Sequence, residues 1–310
     1  MNTYLVTGGA GFIGSHLCEA LVARGDTVRV IDDLSTGHRH NLPPDVTLMV
    51  GDVADPDAVG RAMEGVDGCF HLAAIASVEK GVTDWLGTHR ANITGTITVL
   101  DAIRRQRSRL PLVYASSAAV YGDTTTVPVG ETEPRAPLSA YGADKYGCEL
   151  HARVGSRVHG IPTTGLRFFN VYGPRQDARS PYSGVISIFC ERICAGAPVT
   201  IFGDGRQTRD FVYVSDVVRA LLAAMALRPL DAPVFNVCTG VPTSVAALAK
   251  LIAELAGKPL EARIQPPRTG EIRHSLGVPG LANRVLGLPD RVPLRAGLGK
   301  VLDWMTEPVR

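Results

Sequence analysis

The sequence predicts an α/β fold: a doubly wound parallel sheet followed by a smaller, mixed α/β C-terminal lobe. Three observations carry this. Short apolar runs alternate with stretches of helical apolar spacing through the first half of the chain, the pattern of a parallel sheet covered on both faces. A glycine-rich turn joins the first strand to the first helix. Beyond about residue 175, Pro and Gly become frequent and the alternation fades. The 310 residues suffice for one large domain or two small ones with a substantial core.

The elements follow in order. Tyr4–Val6 is an apolar run that meets glycines, a strand entering a turn. Ile13, Leu17, Ala20 and Leu21 recur at helical spacing, and Gly25 stops that helix. Val28–Ile31 is the second strand, completing a βαβ unit. The alternation continues with "VTLMVGDV" as strand, 56–64 as helix and "GCFHLAA" as strand. Next come a helix over 85–106, "PLVYASS" as strand, a helix over 141–158 and "TTGLRFFNVYG" as strand. "FVYVSDVVRALLAAM" is expected to return to the first lobe as strand and helix. Residues 1–170, with 210–236 returning to them, make the first domain; 171–209 and 237–310 make the second.

Bulk properties exclude several classes. Apolar residues are 45% and charged residues 20%, with a net charge of +2, so nothing favours nucleic acid or an acidic membrane surface. No apolar run approaches the ~18 residues of a membrane span, and the N-terminus lacks the basic region of a signal peptide. The six cysteines include no CxxC pair and read as reduced thiols of a cytoplasmic protein, with no metal site.

"TGGAGFIG" supplies Gly8, Gly11 and Gly14 between a strand and a helix, with Asp32 eighteen positions beyond Gly14. That context is a dinucleotide fingerprint. Glycines let backbone approach a pyrophosphate at the positive end of a helix, while the acidic residue accepts ribose hydroxyls. A carboxylate at Asp32 would repel the extra phosphate of NADP and so favours NAD. "GDV" and "HLAA" close the third and fourth strands, on the edge of the sheet where such ligands bind.

In "YGADKYGCEL", Tyr141 precedes Lys145 by four residues, which puts both on one helix face. A phenol titrates near about 10 in water; a neighbouring ammonium favours phenolate and suits it to proton transfer. Together with "SSAAVYG", "NITGT" and "RFFNVYGPR", this order of motifs resembles the extended short-chain dehydrogenase/reductase family, specifically its NAD-dependent nucleotide-sugar epimerases and dehydratases. The resemblance covers nearly the whole chain and implies a Rossmann-like sheet. It implies Tyr141 as acid/base, Lys145 as its tuner and Ser117 as hydrogen-bond partner of the reacting hydroxyl. For NAD it implies Gly8, Gly11, Phe12, Ile13, Gly14, Asp32, Asp33, Asp52, Val53, Leu72, Ala73, Ala74, Asn92, Tyr141, Lys145 and Phe168. For a UDP-sugar it implies Ser117, Tyr141, Asn170, Arg209, Arg268, Glu271 and Ser275. A homodimer built on helices 85–106 and 141–158 is also implied.

Ala118 and Ala119 follow Ser117. Related 4,6-dehydratases carry Asp-Glu there and related decarboxylases a glutamate at the second position, so neither alanine can move their protons. Oxidation and re-reduction at C4 need only one acid/base and a hydride carrier. The expectation is a UDP-hexose 4-epimerase. Ser275, where many relatives have tyrosine, suggests room for an N-acetyl group. Arg273 and His274 leave a uronic acid open, although glucuronate epimerases often have threonine where Asn170 stands. "SVEKGVTDW" departs from the family pattern beside the sugar pocket. The competing readings are a dehydratase or reductase with another acid, and a catalytically silent NAD-binding protein.

Overall fold

A computed structural model describes residues 1–106, 109–177, 184–267 and 272–306. The first half runs β1 (Thr3–Thr7), α1 (Phe12–Ala23), β2 (Thr27–Asp32), β3 (Thr47–Val50), α2 (Pro56–Met63), β4 (Gly68–His71), α3 (Val78–Thr83), α4 (Trp85–His89), α5 (Gly95–Arg105), β5 (Leu112–Ser117), α6 (Ala140–His159) and β6 (Thr163–Phe168). The second half runs β7 (Asn170–Tyr172), α7 (Val185–Cys194), β8 (Val199–Phe202), β9 (Thr208–Tyr213), α8 (Val214–Leu227), β10 (Val234–Val237), β11 (Pro242–Ser244), α9 (Val245–Ala256), β12 (Ala262–Gln265), α10 (Gly280–Leu286) and α11 (Leu294–Thr306).

Seven strands form one sheet in the order β10-β6-β5-β4-β1-β2-β3, with every pairing parallel. Successive side chains point to opposite faces, and both faces are apolar. Val6, Val30, Phe70 and Val113 pack with Leu17 and Leu21 of α1 and Val217 and Leu221 of α8. Their neighbours Leu5, Ile31, Cys69 and Leu112 turn the other way, onto Val59 of α2, Val99 and Ile103 of α5 and Ala152 of α6. This two-sided burial explains why the strands read as continuous apolar runs rather than alternating ones. The sheet is the doubly wound, Rossmann-like one the sequence predicts.

A third core lies in the second lobe, where Phe189, Ile193, Leu248, Ile252 and Leu298 pack around Ile201 and Phe211. β11, β9 and β7 form a three-stranded sheet there, and β12 pairs with β8. The six cysteines are free, five of them buried. Among the described residues no helix is long and apolar enough to cross a membrane.

Three elements differ from expectation. "TTGLRFFNVYG" is two strands: β6 stays in the main sheet, and after Phe169 the chain crosses into the small sheet as β7. β9 pairs with β7 and β11; its following helix, α8, packs on the main sheet, which β10 then joins beside β6. The segment 85–106 is broken by a π-helical turn at Arg90–Thr94. It carries Asn92, whose buried amide binds Ile75 N at 2.8 Å and Ile75 O at 3.3 Å. Its backbone carbonyl accepts from Thr96 Oγ1 at 2.6 Å.

Candidate active site

The carboxyl ends of six strands of the large sheet converge on a cavity of about 450 Å³. β1 brings Gly8; β2 brings Asp32 and Asp33; β3 is followed by Gly51, Asp52 and Val53; β4 by Leu72, Ala73 and Ala74. β5 contributes Ser116 and Ser117, and the β6–β7 crossing contributes Phe168, Phe169 and Asn170. The strand order reverses between β1 and β4, the switch point at which such sheets bind ligands.

The cofactor end is made of backbone. Gly8 has φ +67°, and a Cβ there would lie 2.7 Å from both N and Cα of Ala73. A Cβ on Gly14 would lie 2.2 Å from Gly8 O, so this glycine lets α1 sit against the turn. α1 is preceded by Gly11 in extended conformation with no side-chain cap, which leaves its first N–H groups, at the cavity wall, free for an anion. These features fit the pyrophosphate of a dinucleotide. Asp32 is buried and accepts from Ala10 N and Leu34 N, both at 2.9 Å. Burial raises its carboxyl above the ordinary range, opposed by those two N–H bonds. Asp52 accepts from Ala54 N and Arg90. Burial pushes its carboxyl up, but the Ala54 bond and Arg90 outweigh this and hold it below the ordinary range.

Behind this wall sits His71. Thr7 Oγ1 accepts from the N–H groups of Leu72 and Ala73 at 3.1 Å, so its own O–H donates to His71 Nδ1 at 2.8 Å. His71 Nε2–H then donates to Thr96 Oγ1 at 3.0 Å, which donates to Asn92 O. Burial and the nearby Lys145 push this imidazole down to about 3, so it is neutral. It fixes the path of "HLAA" beneath the cavity.

Another part of the cavity wall is made of side chains carried by α6 and β5. Ser139 caps α6, accepting from Gly142 N at 3.1 Å. A Cβ on Gly142 would lie 2.7 Å from Ala119 O, so the first turn of α6 abuts the "SSAAVY" turn. That contact brings Tyr141 to the Ser117 side of the cavity. Ser117 Oγ accepts from Ala119 N at 3.1 Å, leaving its O–H to donate into the site. Lys145 Nζ lies 5.9 Å from the centre of the Tyr141 ring and donates to Ala115 O at 2.9 Å.

One turn further along α6, Glu149 accepts from Ser116 Oγ at 2.6 Å. Arg167 grips both Glu149 oxygens at 2.8 and 2.7 Å and donates to Tyr121 OH at 2.6 Å. Tyr121 OH donates to Asn236 Oδ1 at 2.7 Å. The pair is buried; burial opposes the Arg167 charge, but Glu149 outweighs it and raises the guanidinium above its ordinary range. Lys145 and Glu149, four residues apart, therefore grip the end of β5 from one helix face.

The cavity gathers Ser117, Tyr141, Lys145 and Asn170 with all the expected cofactor residues except Asn92, whose side chain is spent on Ile75 and Asp144 behind the wall. Arg209 and Ser275 do not line it. Arg209 Nη1 and Ser275 N both donate to Thr208 O, and Arg209 Nη1 also reaches Arg273 O at 3.5 Å. Arg268 and Glu271 lie outside the described residues. Sequence reasoning missed Glu149, Arg167 and His71. The spacing of Glu149 from Lys145 and a lone arginine inside the apolar run "TTGLRFF" were the available signals.

Residues 4–238 match the model of the NAD dependent epimerase/dehydratase family. The UDP-glucose 4-epimerase of Mycolicibacterium smegmatis is 37% identical over 306 residues, covering 97% of each chain. The UDP-glucose 4-epimerase of Thermotoga maritima, solved with UDP-glucose, superposes with a TM-score of 0.93 at 38% identity over 98% of each chain. The UDP-N-acetylglucosamine 4-epimerase of Methanobrevibacter ruminantium, solved with UDP-N-acetylmuramic acid, also superposes with a TM-score of 0.93, at 33% identity over 98% of each chain. The chain belongs to the NAD dependent epimerase/dehydratase family.

Proposed function

We propose that this member of the family is an NAD-dependent UDP-hexose 4-epimerase, working through a transient 4-keto sugar. One observation carries the reading: Tyr141, Lys145 and Ser117 share the cavity, and Ala118 and Ala119 form the turn after Ser117 where a second acid would stand. Bound NAD supplies the hydride acceptor and donor. Ser117 donates to O4 of the sugar and orients it. Tyr141 takes the 4-OH proton, with the Lys145 ammonium 5.9 Å from the centre of its ring. After the keto sugar turns over, Tyr141 returns the proton to O4 on the opposite configuration. No step consumes cofactor. Residues 1–170 with 210–236, apart from the β9 residues that pair in the small sheet, would serve NAD, and 171–209 with 237–310, joined by Asn170 at the border, the nucleotide sugar. Arg209, Arg268, Glu271 and Ser275 remain proposed for that second role.

The test is a proton NMR time course with purified protein, UDP-glucose in one tube and UDP-N-acetylglucosamine in another. A new anomeric signal from the C4 epimer alone is the expected result; release of water, consumption of NADH or no change in either tube would overturn the reading. The ratio of the two rates measures which hexose the site prefers.

A homodimer is part of the proposal. Leu150, Val154 and Val158 make an exposed apolar stripe along α6, beside exposed Ile97 of α5. Light scattering should give twice the chain mass, and Val154→Glu should halve it. The free cysteines support a reducing, cytoplasmic setting.

A further inference from the structure

Arg175 has φ +67°, a left-handed conformation that a residue with a Cβ adopts only when its surroundings hold it there. What holds it is visible. Its guanidinium donates to both Glu19 carboxylate oxygens, at 2.8 and 2.7 Å, and to Asn41 O at 3.2 Å. It also donates to His16 Nδ1 at 2.6 Å. Arginine can only donate, so His16 Nδ1 accepts and its Nε2–H donates to Pro174 O at 3.0 Å. Asn41 in turn donates to Ala10 O, inside the glycine turn.

The turn after β7 is thereby tied to α1 and to the segment after β2. Arg175 and Glu19 are 156 residues apart in sequence. Arg175, Asn41 and Phe12 line the same cavity. Both oxygens of Glu19 are spent on Arg175, so this arginine is a cross-strap between lobes rather than a spare cation for phosphate.

We propose that the Arg175–Glu19–His16 clasp retains NAD through the catalytic cycle. These are positioning residues: they join the turn after β7 to α1 and to the segment after β2 beside the cavity, and in this proposal cofactor exchange requires that join to open. The inference rests on the epimerase reading, in which the cofactor must stay bound between the two hydride transfers.

The experiment compares wild type, Glu19→Ala and Arg175→Gly. Each is gel-filtered, its bound NAD per chain is measured after denaturation, and the exchange of bound for isotopically labelled NAD is followed by mass spectrometry. Thermal midpoints are recorded alongside. Wild type should hold NAD and exchange it slowly; a wild type with no NAD would overturn the cofactor reading itself. Glu19→Ala should exchange about tenfold faster, the scale of losing one good bidentate pair. Arg175→Gly relieves the backbone strain yet deletes the strap, so it should keep or raise the thermal midpoint while exchanging faster. Wild-type exchange rates in both folded variants would overturn the clasp, as would acceleration found only in proportion to lost thermal stability.

Discussion

The two ends of the cleft are built from different materials. At the cofactor end the decisive groups are backbone: the left-handed Gly8, the close approach at Gly14 and the uncapped start of α1. At the reacting end they are side chains aimed by a buried polar network, with Lys145 on Ala115 O and Glu149 on Ser116. Backbone geometry can be specified locally by glycine. Placing a phenol against a hydroxyl from another element cannot, and it requires a fixed distance between α6 and β5.

That contrast can be broken at either end. The largest effect falls on the reacting end: Tyr141→Phe should lower kcat about 10³-fold or more, in the range of general acid–base catalysis, while bound NAD stays at the wild-type level. Loss of NAD together with activity would show that the two ends are not separable. Glu149→Gln leaves Arg167 buried and poorly paired, and should destabilise the protein by about 3–5 kcal/mol in urea titration. Ser116→Ala removes only the bond from β5 to Glu149 of α6, costs about 1–2 kcal/mol, and should lower kcat with little change in KM. Equal kcat values for Ser116→Ala and wild type would mean that α6 does not aim the serine.

The cofactor end is tested by Gly8→Ala. It combines a left-handed residue with a clash against Ala73, costs about 1–3 kcal/mol, and should strip NAD while leaving the reacting end intact. A pH dependence comes last. Folded His71 is pushed down to about 3 from its ordinary 6.5. Between those values the unfolded chain holds the extra proton, so His71's stabilisation is whole above 6.5 and is lost as pH falls. The slope approaches about 1.4 kcal/mol per pH unit below 6.5. Denaturant midpoints from pH 7 to 5 should show that slope in wild type and a shallower one in His71→Asn; equal slopes would remove His71 as its source.

Much of this was legible in the chain. The βαβ alternation, the glycine turn with Asp32, and the Tyr141–Lys145 spacing are local signals, written within one or two elements. The π-turn at Arg90–Thr94 was not legible, because it goes with Asn92 bonding Ile75, seventeen residues away in the loop after β4. The crossing of the chain at Phe169 was hidden for a related reason. "LRFFNVY" is apolar and extended on both sides of the break, and only its partners differ, β5 and β10 before it and β9 after.

By itself, then, the sequence determined the sheet, the cofactor turn and which side chains could carry the reaction, since periodicity and spacing act over a few residues. Only the tertiary structure decided that Glu149 steadies Ser116, that Asn92 stands behind the wall rather than in it, and that Arg175 reaches back to Glu19. Those partners meet because separate elements pack together, and the buried polar groups then bond whatever donor or acceptor packing has placed beside them.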